Sequence, residues 1–371
     1  MADDTREIGR RIAQARERAR LTQSDLGLRA SLERSAIAKI EGGRRGVGAM
    51  ELMRIAEALG QRFEWLLSDG PSAVMEHRTR LDPSLDLAGI DTSLEALARH
   101  VSFVADIVPT LVEKTVDQAE MPTNGAEAES LAALARAACG LPHGSAVRSI
   151  GDVVGRVGVM AFSTALGPET ADAASTTLDR GAVALVNSTN AVGRRRLALA
   201  HELGHVLVRD GYAVDWRVAD HSDSDHTEVL LDRFARAFLA PPTAFAEFWQ
   251  ESRLIHGVRT SAVLIGNRFQ IDMATIARRL NELDLASAAE MAEVRGTRTN
   301  RADIVEHGLF APIDLEGTTV PSAYARAVLT LYRAEELSAE RALGLLAGTF
   351  EHDDLPLLPE RHENEIWSLL R

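Results

Sequence analysis

Two histidines four residues apart, with a glutamate directly after the first, stand in RRRLALAHELGHVLVRD at positions 194–210. On a helix, positions i and i+4 share a face, so His201 and His205 can turn both imidazoles toward one metal ion from a single turn. Zinc suits such a pair, because neutral imidazole is a good ligand for it and a coordinated water has its pKa lowered to about 7. Glu202 sits where a general base for that water belongs. A zinc site of this kind takes a third protein ligand and keeps a fourth position open. Glu228 is the strongest candidate: it opens HTEVLLDRFARAFLAPP, in which Leu231, Phe234, Ala235, Phe238 and Leu239 form an apolar stripe with Glu228 on a neighbouring face. His221, Asp223, Asp225 and His226, in the loop before it, compete for the same role. The plainer alternative is a core helix with two incidental histidines, and the second acidic feature counts against it.

These residues need elements to hold them. Leu197, Leu199, Ala200, Leu203, Val206 and Leu207 surround the polar trio, which predicts a buried helix over 197–208 with one polar edge facing a cleft. A second helix follows and ends before Pro241-Pro242. Helices are expected at 127–139 and 150–157, and short strands at 158–162 and 182–187. Residues 92–118 read as one long helix whose apolar stripe, Leu94, Leu97, Val101, Val104, Ile107 and Val108, is interrupted by Pro109; it suits either a dimer seam or packing on its own domain, since no strict heptad holds. SAVLIGNRFQIDMATIARRL, in acidic surroundings, reads as a packing element built like a helix-turn-helix. Helices at 324–331 and 338–347, the second with Ser338 as N-cap, and a short last helix complete the chain.

The motif HELGH with RRRLALA before it, and Glu228-x-x-Leu231-Asp232-x-Phe234-Ala235-x-x-Phe238-Leu239-Ala240-Pro241 after it, resembles the ImmA/IrrE family of intracellular zinc metallopeptidases. AVALVN at 182–187 is similar to the strand before that family's motif helix, and 269–285 to its trailing helices. The resemblance implies a peptidase-like domain over about 127–285, with His201, His205 and Glu228 as zinc ligands and Glu202 as base. Positions 231 and 232, Leu and Asp here, are commonly Ala and Asn in the family.

The chain of 371 residues has a formal net charge of −13, yet residues 6–54 hold twelve Arg or Lys against six Asp or Glu. A basic segment on an acidic protein is a candidate nucleic-acid surface. Ile8, Ile12 and Ala15 make a first helix, Thr22 caps a second, and after a turn at 30–32 a third carries Ile37 and Ile40 as its buried pair. Leu52, Ile55, Ala56, Leu59, Leu66 and Leu67 close a small core. LTQSDLGLRASLERSAIAKIEGGRR resembles the helix-turn-helix of the Cro/lambda-repressor type, the XRE family, with Ser31 where that family usually has its turn glycine. The resemblance implies that the helix at about 33–41 enters the major groove of double-stranded DNA, so that Gln23, Arg34, Ser35, Ala36 and Lys39 face it.

The fold class expected is mainly α (α+β): an N-terminal five-helix helix-turn-helix domain, a zincin-like helical peptidase domain with a small sheet, and a helical C-terminal region. The limits expected are 1–70 for DNA binding, 71–126 for a linker and long helix, 127–290 for the peptidase and 291–371 for the C-terminal region. Cys139 is the sole cysteine, which excludes an internal disulfide and a cysteine-cluster metal site. With a charged N-terminus and no apolar run near the ~18 residues that a membrane span takes, a cytoplasmic protein is expected. The function expected is a transcriptional regulator, a homodimer on DNA, whose zinc-dependent peptidase cleaves a repressor, a partner or itself in a stress or mobile-element response. The alternatives are a regulator or antitoxin that uses the peptidase fold as a binding scaffold with little hydrolysis, and a general peptidase merely localised by its N-terminal domain.

Overall fold

The computed structural model describes residues 2–18, 21–59, 66, 88–112, 118–168, 170–208, 212–215, 226–310 and 313–358. The chain divides into two units, Met1–Pro83 and Ser84–Arg371.

In the first unit, α1 (Ala2–Arg18), α2 (Gln23–Arg29), α3 (Arg34–Glu41) and α4 (Ala49–Ala58) enclose Ile12, Leu26, Ile37, Ile40, Leu52, Ile55 and Leu59. Leu66 is helical and fully buried, while Leu67 and the rest of the expected fifth helix lie outside the described residues. The predicted cap is present as a capping box: the Asp25 amide donates to Thr22 Oγ1 at 3.1 Å and the Thr22 amide to Asp25 Oδ2 at 2.9 Å. Ser31 turns the chain from α2 to α3 at φ +54°, in the left-handed region where a side chain costs about 1 kcal/mol or more.

The second unit is built on a four-stranded mixed sheet of order β1-β3-β2-β4, with β1 Val159–Thr164, β2 Ala173–Thr177, β3 Ala182–Asn187 and β4 Tyr212–Asp215. β3 runs parallel to β1 and antiparallel to β2, which is antiparallel to β4. Two strands were expected; β2, AASTT, has no apolar alternation to announce it. All of β3 is buried, because helices cover both faces. By the period of two, Val159, Ala161, Ala173, Ala182, Ala184 and Val186 join one core with the motif helix α8 (Val192–Val208). Helix α5 (Ala88–Ile107) packs on β2 and β3 through its own buried residues, Leu94, Ala98, Val101 and Val104. It is therefore a helix of its own domain, and it stops at Ile107, not 118: Pro109 lacks an N–H and disfavours helix at the residue before it, and a 3-10 turn, Pro109–Val112, follows.

Helices α6 (Gly125–Ala138) and α7 (Ile150–Gly155) precede the sheet, and α9 (His226–Leu239) packs on both α6 and α8. Helices α10 (Pro242–Ile255), α11 (Val258–Phe269) and α12 (Met273–Glu282) follow; the α11–α12 turn passes through Gln270 at φ +54°, and Ile276, Ala277 and Leu280 of α12 are buried in the core of the unit. That packing takes up the apolar face of the second helix-turn-helix-like run. Four short helices, α13 (Ala288–Gly296), α14 (Arg301–His307), α15 (Ser322–Arg333) and α16 (Ala339–Leu345), complete the unit, and Ser338 caps α16 as expected. Thr319 pairs with Ser163 on the free edge of β1. The expected last helix lies outside the described residues.

Candidate functional site

Helix α8 is anchored before it reaches the motif. Its run of three arginines is a packing device: Arg194 Nε meets Asp172 Oδ2 at 2.7 Å, Arg195 donates to the carbonyls of Ser188 and Asn190, and Arg196 is fully buried. The Arg196 guanidinium pairs with Asp314 and donates to the carbonyls of Val147, Arg148 and Gln270, which fixes the start of the helix in three neighbouring segments.

One turn further on, His201 and Glu202 are fully buried and His205 is 5% exposed. Helix α9 crosses close by at Gly204, where a Cβ would stand 3.1 Å from Phe234 Cδ1 and 3.2 Å from Leu231 Cδ2. This approach brings Glu228 across. His201 Nε2 lies 3.0 Å from His205 Nε2 and 3.1 Å from Glu228 Oε2, and His205 Nε2 lies 3.6 Å from the same oxygen. A tetrahedral zinc ion with bonds of 2.0–2.1 Å places its ligand atoms roughly 3.3 Å apart, so the three separations bracket the value that such an ion demands. Two imidazoles and a carboxylate are also the donor types zinc takes, and among the described residues this is the cluster able to hold a metal. Behind His201, Nδ1 lies 3.0 Å from Asp232 Oδ1 without a hydrogen bond between them, so a carboxylate stands within reach of the Nδ1 proton that a ligating Nε2 requires.

The two carboxylates are tuned apart. Burial works to raise Glu228, but hydrogen bonds from His201 and His205, with their charge, outweigh it and hold the carboxyl well below the usual range. Burial pushes Glu202 up; the charges of His205 and His201 and a hydrogen bond from Ser175 pull it back only in part. Ser175 Oγ donates to Glu202 Oε2, and Glu202 Oε1 has no hydrogen-bond partner among the described residues. Ser175 is placed by register: it stands opposite Ala184 of β3, on the strand face that α8 covers.

Of the rivals for the third position, His226 Nε2 is engaged with the Thr123 carbonyl at 3.2 Å, and His221, Asp223 and Asp225 lie outside the described residues. Sequence reasoning missed Ser175, and it noted Asp232 and Gly204 without giving either a role. The spacing Glu228-x-x-x-Asp232 is the one signal available, since a residue four positions on shares the ligand's face.

In the first unit, Arg34, Ser35 and Lys39 are exposed on α3 and Ala36 is half-buried. Gln23 is engaged within the fold: its amide donates to Glu41 Oε2 at 2.8 Å, while Arg16 Nε holds Glu41 Oε1 at 2.7 Å. No described helix is long and apolar enough to cross a membrane.

Comparison with known proteins agrees with this division. Residues 9–69 match the family model described as a helix-turn-helix domain, and residues 154–281 match the IrrE N-terminal-like domain. No curated protein matches the chain. Among solved structures, the crystal structure of ComR from Streptococcus suis is similar at 12% identity over 92% of this chain and 87% of that one, with a TM-score of 0.17. The chain thus joins an N-terminal helix-turn-helix domain of the XRE type to an IrrE-like domain of the M78 peptidase family.

Proposed function

We propose that this protein is a DNA-bound transcriptional regulator whose IrrE-like domain is a zinc peptidase, cleaving a repressor, a partner or itself in a stress or mobile-element response. The observation that carries the reading is a buried glutamate with one uncommitted oxygen, Glu202 Oε1, beside a three-donor cluster. A scaffold that only binds has no use for that carboxylate.

In this reading His201, His205 and Glu228 would hold zinc, which would supply Lewis acidity to the attacking water. Ser175 holds Glu202 Oε2, so that Oε1 is the atom that takes a proton from the attacking water and returns it to the leaving amine nitrogen. Asp232 keeps His201 in the ligating tautomer. Residues 1–70 bind DNA, 127–290 carry the peptidase, and 291–371 brace it through Asp303, Asp314 and Thr319. Arg34, Ser35 and Lys39, with Gln23 and Ala36 at the margin, face the duplex. A recognition helix of eight residues reads few base pairs, so two copies acting on a roughly palindromic site give the specificity that a regulator needs. The setting is cytoplasmic.

Glu202→Gln tests this. It keeps the shape and the ligands and removes the base, so operator occupancy stays at its basal level, transcription fails to respond to the inducing stress, and the target protein stays full length on a blot. Normal induction with unchanged protein lengths refutes the peptidase reading. A second reading has an observation of its own: the cluster reaches solvent chiefly through Glu228, whose side chain is 33% exposed. A closed metal site suits a regulator or antitoxin in which the ion is structural, and there Glu202→Gln behaves as wild type in both states.

A further inference from the structure

Behind His201 begins a chain of buried charge, joined by ion-pair contacts at its first two links and by hydrogen bonds from Arg236 onward. Asp232, which faces His201 Nδ1 with one oxygen, faces Arg236 with the other at 3.5 Å. Arg236 Nε donates to Glu282 Oε1 at 2.8 Å, and Glu282 Oε2 accepts from Arg279 Nη1 at 3.0 Å. Arg279, fully buried, grips both oxygens of Glu129, at 3.0 and 3.3 Å, and donates through Nε to the Ala240 carbonyl. Glu129 in turn accepts two hydrogen bonds from Arg233, beside Asp232 on α9. Three acids and three arginines therefore alternate from the imidazole to the half-exposed Arg233 and balance in charge.

Such a ladder is a poor way to obtain stability. Well-packed apolar residues of similar volume are often as stabilising as a buried ion network. What the ladder supplies is geometry, because the Arg279 fork fixes the plane of Glu129 and the single bonds from Arg279 and Arg236 to Glu282 pass that order on toward Asp232. One end is the Nδ1 edge of a cluster imidazole; the rest is spread over α6, α9 and α12.

We propose that Arg236, Glu282, Arg279 and Glu129 are positioning residues for the metal centre: through Asp232 they lock the tautomer and plane of His201, and the packing of α6 and α12 on α9 thereby sets metal affinity. The proposal rests on the reading of His201 as a ligand. Arg236 holds Asp232 toward Nδ1, Glu282 keeps Arg236 in place, and Arg279, itself held by Glu129, holds Glu282. Outer-shell partners of this kind change affinity by about 10–100-fold when removed.

The test uses the full chain with Glu282→Gln and Glu129→Gln, and Asp303→Asn as a control. Asp303 is paired with Arg259 in the same unit and takes no part in the ladder. Two quantities are measured: zinc dissociation by competition with a chromophoric chelator, and the ring nitrogen shifts of His201 in zinc-free protein by NMR. Glu282→Gln is expected to weaken zinc binding about tenfold and to mix the two His201 tautomers, with Glu129→Gln weaker in the same direction and the control unchanged. Affinity within about twofold of wild type and a single tautomer in a folded Glu282→Gln protein overturn the proposal, because a merely stabilising network moves the melting temperature and neither readout. Should Glu282→Gln fail to fold, Arg236→Lys takes its place, retaining the charge and losing the fork, and the same two outcomes decide. Wild-type protein that binds no zinc refutes the metal reading alone, and the tautomer measurement still decides the ladder.

Discussion

Replacing Arg196 by leucine removes a guanidinium that is fully buried and serves four acceptors, the Asp314 carboxylate and the carbonyls of Val147, Arg148 and Gln270. Asp314 keeps the Ile150 amide at 2.8 Å and the nearby charge of Arg195 but loses the guanidinium it pairs with, and its side chain is only 10% exposed. Breaking a buried ion pair from one side costs about 3–5 kcal/mol, most of it the stranded charge. At about 2–4 °C per kcal/mol for a unit of this size, the melting transition of the second unit falls by roughly 10 °C. The assay is thermal and urea unfolding of the full chain followed by tryptophan fluorescence, since Trp249 is buried in that unit. The double variant Arg196→Leu with Asp314→Leu recovers a large part of the loss, because it removes the stranded carboxylate as well. A loss under about 1 kcal/mol in the single variant, or a double variant less stable than the single, refutes the argument that Arg196 acts by satisfying these acceptors.

Elemental analysis of purified protein should give about one zinc per chain; His201→Ala, His205→Ala and Glu228→Ala each lose it, and Glu202→Gln keeps it. In chelator-treated protein, Glu202→Gln should be more stable than wild type at neutral pH. Folding raises the pKa of this carboxyl, so its ionisation opposes the folded state above the unfolded value of about 4.5, and the advantage of the variant closes as pH falls to that value. Ser175→Ala should leave zinc content unchanged and lower peptide hydrolysis about tenfold or more, as expected for a lost hydrogen bond to a charged group. Ser31→Gly should stabilise the first unit by about 1 kcal/mol in denaturant titration, the relief of a left-handed side chain. In a binding titration, Arg34→Ala or Lys39→Ala should weaken DNA affinity, and each should reduce the salt slope by about 1 where the side chain contacts phosphate.

What the sequence made legible was what neighbours along the chain decide. His201, Glu202 and His205 are tied by helical period, Thr22 and Ser338 by capping chemistry, and Glu228 by its place beside an apolar stripe. What escaped depends on residues far apart. AASTT becomes β2 only because β3 and β4 flank it, and Ser175 acquires a role only through that register. The long helix expected through 118 ends at Ile107 because a local breaker, Pro109, outweighs a continuing stripe. Asp232 showed only as a departure from the family pattern, since its contact with His201 Nδ1 exists only through the packing of α9 on α8. The approach that brings Glu228 to the two histidines likewise depends on Gly204, whose missing side chain is a contact distance and not a chemical function.

That the third donor arrives on a separate helix has a consequence for the order of events during synthesis. His201 and His205 leave the ribosome together, whereas Glu228 emerges later and reaches them only after α9 has docked at Gly204. In the zinc reading proposed above, a nascent chain would therefore carry a two-donor half-site of low affinity, and tight capture of the ion would wait for the helix pair to form. If the cluster holds zinc as proposed, metal loading would report completed tertiary packing, and an incompletely folded chain would stay empty.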